Sequence, residues 1–404
     1  MIPIRRSVAA PARGSRVRRA ARKRSVTVAP GADPGRPGQA ALGPADRNAN
    51  LDGLRALAIS LVVVVNAAGE HLVDVGPLGD RILHAGWLGV DLFFVLSGWL
   101  VGSLYWREHR RYGSVELGRF WARRWLRTVP PYLVVFACVV VAYGAMGHET
   151  AGWGHFLAFT QNYLEPMPFW GVSWSLAVEE HFYLALPLLM GVALRYRGGV
   201  PTVLAALAVG SLLARLWTVP DGASQWGLHY TATHMRLEGL AFGVAASYVA
   251  VMRPEAWPAL QRAARWLLLP GLLVVGCVPW LPTDVLNRVA YTLADVAFCA
   301  LLVVVVRRPA LPFATSRAVR VLAETSYSLY MTHLLVFNLV VRTPAASLPG
   351  PALLAVSLAA AVVVAGAFYV AVEVPALRWR QRWAPRRSES EARPAVTGVR
   401  VVYG

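Results

Sequence analysis

Apolar residues in this chain are gathered into long blocks, and the block length constrains the fold more than any other feature. The blocks lie near Leu54 to Ala68, Gly86 to Tyr105, Val129 to Met146, Leu176 to Leu194 and Pro201 to Trp217. They continue near Leu237 to Met252, Trp266 to Leu281, Val289 to Val306, Val321 to Val341 and Pro351 to Val372. A helix rises about 1.5 Å per residue, so roughly 20 residues cross a hydrocarbon layer about 30 Å thick. Lipid offers no hydrogen bonds, and a helix satisfies its own backbone, so such blocks are expected to be helical. The composition agrees: 56% hydrophobic, 15% charged and a mean hydropathy of +0.46, whereas soluble domains are roughly a quarter charged. The expected fold is an all-α integral membrane protein with about ten transmembrane helices.

Charge between the blocks sets the expected orientation, because Arg and Lys in short loops stay on the cytoplasmic side. One set of loops holds Arg107, Arg110, Arg111, Arg119, Arg123, Arg124 and Arg127, then Arg195 and Arg197, then Arg253, Arg262 and Arg265, then Arg307, Arg308, Arg317 and Arg320. The alternate set holds only Arg81, Arg288 and Arg342. Both ends of the chain are Arg-rich, so every basic segment falls on one side if the number of crossings is even, with N and C termini inside. The net charge of +18 is then topological. It suits a face near anionic lipid in a multi-pass plasma-membrane protein and calls for no nucleic-acid partner.

Three regions follow. Residues 1–50 read as a disordered, Arg-rich cytoplasmic tail, 51–375 as the membrane domain, and 376–404 as a basic cytoplasmic tail, also disordered. Cys138, Cys277 and Cys299 sit singly in apolar blocks, where Cys acts as a small hydrophobe, and His148 and His155 lack a ligand set, so no metal site is expected.

An ionisable group inside a span needs a partner, a wet cavity or a task. Arg55 opens the first block, and Asn66 follows eleven residues later, three helical turns up the same face. Asp91 lies in the second block among Gly89, Ser97 and Gly98, which read as residues for close helix packing. The stretch Ser173-Trp174-Ser175-Leu176-Ala177-Val178-Glu179-Glu180-His181-Phe182-Tyr183 carries adjacent carboxylates that cannot both face lipid. Arg236 stands at a block entrance, and His333 lies within Ser326-Tyr327-Ser328-Leu329-Tyr330-Met331-Thr332-His333. Before the third block, Arg123 and Arg127 stand four apart among Trp121, Trp125 and Tyr132, and guanidinium forks at that spacing suit phosphate.

Taken in order, and with the closing Tyr369-Val370-Ala371-Val372-Glu373-Val374-Pro375, these stretches resemble the membrane acyltransferase-3 family, integral membrane O-acyltransferases of bacterial envelope glycans and some antibiotics. The resemblance covers Leu51 to about Pro375. It implies ten helices, an acyl-CoA donor entering from the cytoplasm and no permanently bound cofactor. It further implies a short acyl group and, as acceptor, a hydroxyl of a carbohydrate or lipophilic alcohol. Arg123, Arg124 and Arg127 fall on the family's basic motif, as candidates for the CoA phosphates. Arg55, Asp91, Trp174, Glu179, Glu180, Tyr183, Arg236 and His333 fall on or beside its other polar motifs, with Arg55 or Arg236 implied as the group that steadies oxyanion charge.

The chain departs from that pattern at Asn66, where the family carries His. An amide orients groups but cannot take a hydroxyl proton as imidazole can. Glu70, His71, His333 and Glu180 are the candidate replacement bases. A non-catalytic relative and a membrane transporter are the alternative readings.

Overall fold

The computed structural model describes residues 48–69, 72, 76–147, 149–167, 169–385 and 387. Expectations for the tail before residue 48, for the chain after residue 387, and for Glu70, His71 and His148 lie outside the described residues. Every apolar block lies in helix. In chain order the helices are α1 (Ala49–Gly69), α2 (Gly76–His84), α3 (Leu88–Tyr112), α4 (Leu117–Ala145), α5 (Trp153–Leu157), α6 (Trp174–Ala193), α7 (Gly199–Thr218) and α8 (Leu228–Thr231). They continue as α9 (Glu238–Met252), α10 (Trp257–Cys277), α11 (Thr283–Val285), α12 (Tyr291–Val305), α13 (Arg317–Glu324), α14 (Ser326–Val340), α15 (Gly350–Phe368) and α16 (Val374–Trp383).

Among the described residues, eight helical segments are long and apolar enough to cross a membrane, and α9, with 15 residues, is a shorter apolar helix. Where the apolar surface points explains the composition. The segment Gly350–Trp383 has the highest mean hydropathy, 2.4, yet only 17% of its most apolar window is buried inside the protein; for Pro254–Trp280 the share is 11%. Val362, Val363 and Val370 are exposed. Such unbroken apolar surface is suited to lipid and not to water. By contrast 78% of the apolar window of Ala85–Tyr112 is buried, which makes α3 the central helix, packed against α1, α6, α9 and α12.

Glycines set the helix spacing around α3. A methyl group at Gly98 would strike the carbonyl of Leu240, one at Gly243 would strike the carbonyl of Val95, and one at Gly89 the carbonyl of Ala58. The backbones of α3 and α9 therefore touch, as small residues allow where lipid gives no hydrophobic drive to association. Gly86 sits on Leu61 and Gly89 on Ala58. As α3 numbers rise by three, α1 numbers fall by three, so the helices run antiparallel. This register brings Arg55 level with Leu92 and Phe93.

Four boundaries differ from expectation. Helix α4 begins at Leu117, twelve residues before the apolar block, because its Arg side chains turn into the protein. The expected block Val321 to Val341 is two helices, α13 and α14, divided at Thr325. The first helix starts at Ala49, where the Asn48 Oδ1 atom accepts from the amides of Asn50 (3.0 Å) and Leu51 (3.2 Å). The basic tail expected to be disordered from residue 376 begins instead as α16, which packs against α4.

Candidate functional site

Five helices leave a cavity of about 100 Å³ between them. Helix α1 contributes Arg55, α4 contributes Arg124, Arg127 and Thr128, and α6 contributes Ser175, Leu176, Glu179 and Tyr183. Helix α3 supplies a stripe from Val90 through Phe93, Phe94, Leu96 and Ser97 to Leu100, about 15 Å long. The remaining wall is Ser326, Tyr327 and Tyr330 of α14. Residues three and four apart on one helix share a face, which is why each helix lines the cavity with such spacing.

Positive charge predominates on the cavity wall itself. Arg55, Arg124 and Arg127 face the cavity, and Glu179 is the one carboxylate among its described lining residues. The Arg124 guanidinium is buried, lies 5.1 Å above the Tyr183 ring, and leaves its Nη2 atom without a hydrogen-bond partner among the described residues. Ser97 and Tyr183 are joined by a short hydroxyl–hydroxyl bond, and both lie against the Glu179 carboxylate.

Tyrosines of α14 fix the walls. The Tyr330 hydroxyl shares a bond with Ser175 Oγ (2.5 Å) and donates to the carbonyl of Val172 (3.0 Å), while Tyr327 donates to the carbonyl of Thr128 (2.9 Å). Thr128 in turn donates to Glu180 Oε1 at 2.6 Å. Glu180 is therefore one residue removed from the cavity and does not line it.

Other expected site residues lie elsewhere. Arg123 turns away to donate to the carbonyl of Ala384 (2.5 Å), so the guanidinium pair that meets is Arg124 and Arg127, three apart, and not Arg123 and Arg127. Asn66 spends its amide on the carbonyl of Val62 (2.9 Å), along α1 from Arg55 by about 16 Å. His333 is buried, its Nδ1 held 2.9 Å from the carbonyl of Leu329 and its ring between Tyr330 and Phe337. Ser97, expected only as a packing residue, lines the cavity.

Asp91, Trp174 and Arg236 belong to a second, closed centre. Arg236 Nη2 donates to Asp91 Oδ1 at 2.7 Å, with both side chains 1% exposed. Its guanidinium carbon lies 3.9 Å from the ring centre of Tyr291, 5.2 Å from Tyr230, 5.5 Å from Trp174 and 6.0 Å from Phe94. Beside it Arg215 pairs with Glu238 and donates to Thr292 Oγ1 (2.6 Å), which donates to Glu238 Oε1 (2.8 Å). Arg236 is thus committed to Asp91 and absent from the cavity wall, where the resemblance had offered it for oxyanion charge.

Sequence reasoning passed over Thr128, Ser175, Tyr327 and Tyr330 at the cavity and Arg215 at the closed centre. Arg215 did carry a signal, since it stands alone within the apolar block Pro201 to Trp217. The hydroxyl residues carried none, because Ser, Thr and Tyr also bond to helix backbones throughout membrane bundles.

Comparison with known proteins adds what geometry alone leaves open. A protein of Staphylococcus aureus strain COL, provisionally named an O-acetyltransferase, is 29% identical over 222 residues, covering 49% of this chain and 34% of its own length. The O-acetyltransferase OatA of Staphylococcus aureus strain NCTC 8325 / PS 47 is 26% identical over 326 residues, 70% of this chain and 49% of its own length. The chain therefore spans half or less of the length of these curated relatives. No solved structure matches it. A family model described as an acyltransferase domain matches residues 48–372, the same stretch that builds both polar centres. By that match the chain belongs to the acyltransferase-3 family.

Proposed function

We propose that this protein moves a short acyl group from acyl-CoA to a hydroxyl group of a glycan or lipophilic metabolite, working in the plasma membrane with ten crossings and both termini in the cytoplasm. The ten crossings combine the eight long apolar segments with the 15-residue helices α9 and α14. The asymmetry of Arg between alternate loops supports the orientation. The relatives named O-acetyltransferases support transfer to oxygen.

One observation carries the donor reading: three guanidinium groups face one cavity against a single carboxylate. A buried cation without a partner is costly, so a cavity built in this way favours an anionic occupant. Arg124 and Arg127 offer forked donors to phosphate oxygens. Arg55, level with Phe93, stands further along the α3 stripe, near the apolar residues Val90 and Phe93. Phosphates bound by Arg124 and Arg127 leave the acyl arm running along α3 toward Arg55. There a guanidinium can hold the thioester oxygen as negative charge develops on it. The small cavity favours a short acyl group.

The test is label transfer from acetyl-CoA by the full chain in membranes, with donor binding measured in parallel. Arg124→Gln and Arg127→Gln should each weaken acetyl-CoA binding by about tenfold or more, as expected for a lost charge-assisted hydrogen bond of about 1.5–3 kcal/mol. Unchanged donor affinity in both variants would refute this location for the donor.

A further inference from the structure

Transfer from a thioester to an alcohol needs a group that accepts the alcohol proton, and the cavity wall holds few groups able to do so. Among its described lining residues there is no histidine, lysine or cysteine. Arginine donates only, and serine, threonine and tyrosine are poor proton acceptors while neutral. Glu179 is the exception. His333 cannot substitute from where it stands, since it does not line the cavity.

The placement of Glu179 also fits. Ser97 on α3 meets Tyr183 on α6, and Phe94 meets Trp174 edge-on at 5.8 Å, so residue numbers rise together along the two helices. Glu179 lies one turn before Tyr183 on α6 and against Ser97 of α3. Arg55 enters the same cavity from α1, so the carboxylate and the guanidinium share one enclosed space from different walls. The paired hydroxyls of Ser97 and Tyr183 restrain the carboxylate's orientation.

We propose that Glu179 is the general base of this acyltransferase, a role that rests on the donor site described above. The acceptor O–H proton passes to a Glu179 carboxylate oxygen as the acceptor oxygen forms a bond to the thioester carbonyl carbon. The carbonyl oxygen takes the negative charge beside Arg55. When the tetrahedral centre collapses, the C–S bond breaks and CoA leaves as thiolate. The proton held on Glu179 passes to that sulfur, which restores the carboxylate and releases an ester and a free thiol.

The experiment follows thiol release from acetyl-CoA by the full chain in nanodiscs, with water and with glycerol as acceptors, alongside acetyl-CoA binding. Glu179→Gln should lower kcat by about 10²–10⁴-fold, the usual contribution of a positioned base, while donor affinity changes less than threefold. In Glu179→Ala, added formate should restore part of the rate, because it returns a carboxylate to the vacated space. A Glu179→Gln variant within threefold of the natural rate overturns the proposal. So does a variant that loses donor affinity in proportion to rate, since Glu179 would then only position the arginines. If the natural chain neither binds nor cleaves acetyl-CoA, the donor reading fails and the base falls with it. If it binds and cleaves while Glu179→Gln is unaffected, only the base is wrong.

Discussion

Arg124 and Arg236 are both buried guanidinium groups in the interior of one helical bundle, and they are treated in opposite ways. Arg236 has a carboxylate at 2.7 Å and aromatic rings around it, so its charge is answered within the protein. Arg124 stacks on one ring, has no carboxylate in ion-pair contact among the described residues, and faces a cavity shared with two further arginines. The closed centre contributes to holding α3, α7, α9 and α12 in register, whereas the open one leaves its charge for something that arrives from outside. Buried charge alone therefore does not mark a site; whether that charge is already answered does.

The contrast is broken most severely at the closed centre. Asp91→Leu takes from the buried Arg236 the carboxylate it is ion-paired with, so we expect a loss of about 3–5 kcal/mol of stability, read as poor accumulation or an early melt in detergent. Combining Asp91→Leu with Arg236→Met removes both charges and should recover most of that loss; a double variant as unstable as the single would show that the pair does more than neutralise itself. At the open centre the order of effects reverses. Arg127→Gln should shift stability by no more than about 0.5 kcal/mol, because no ion pair is lost, while acetyl-CoA turnover falls by the factor expected from donor binding. A cooperative melt well below that of the natural chain would mean that Arg127 is structural. The smallest effect is expected at Asn66, which among the described residues bonds its own helix: Asn66→Ala should leave both turnover and melting close to the natural values, and a large loss of turnover would return α1 above Arg55 to the reaction.

Much of the architecture could be read in the sequence because it depends on local patterns. Each apolar block is helical, and Gly89 and Gly98 mark close packing as their setting suggested. Sequence reading placed the start of α4 too late because hydropathy treats Arg119 to Arg127 as a loop, although guanidinium groups turned inward let the helix continue. Which arginines meet was equally hidden. Arg123 and Arg127 are one helical turn apart, but the carbonyl of Ala384, far along the chain, draws Arg123 away. The partner of Arg236 lies 145 residues earlier in the sequence, and no local pattern encodes such a choice. At the site, the sequence favours His333 because imidazole is the usual proton acceptor near neutral pH. Its burial against Leu329, Tyr330 and Phe337 is a property of packing that spacing cannot show.

Phe94 borders both centres: its ring lines the cavity on one side and lies 6.0 Å from the Arg236 guanidinium on the other. It acts as electrical insulation between a compartment that exchanges its ions and one that must not. Two unit charges about 4 Å apart attract by about 4 kcal/mol at an effective dielectric constant near 20, and by only about 1 kcal/mol in water. A hole in that one ring would let the wet side leak into the dry side, and the ion pair behind it would lose its grip without either of its own members being touched.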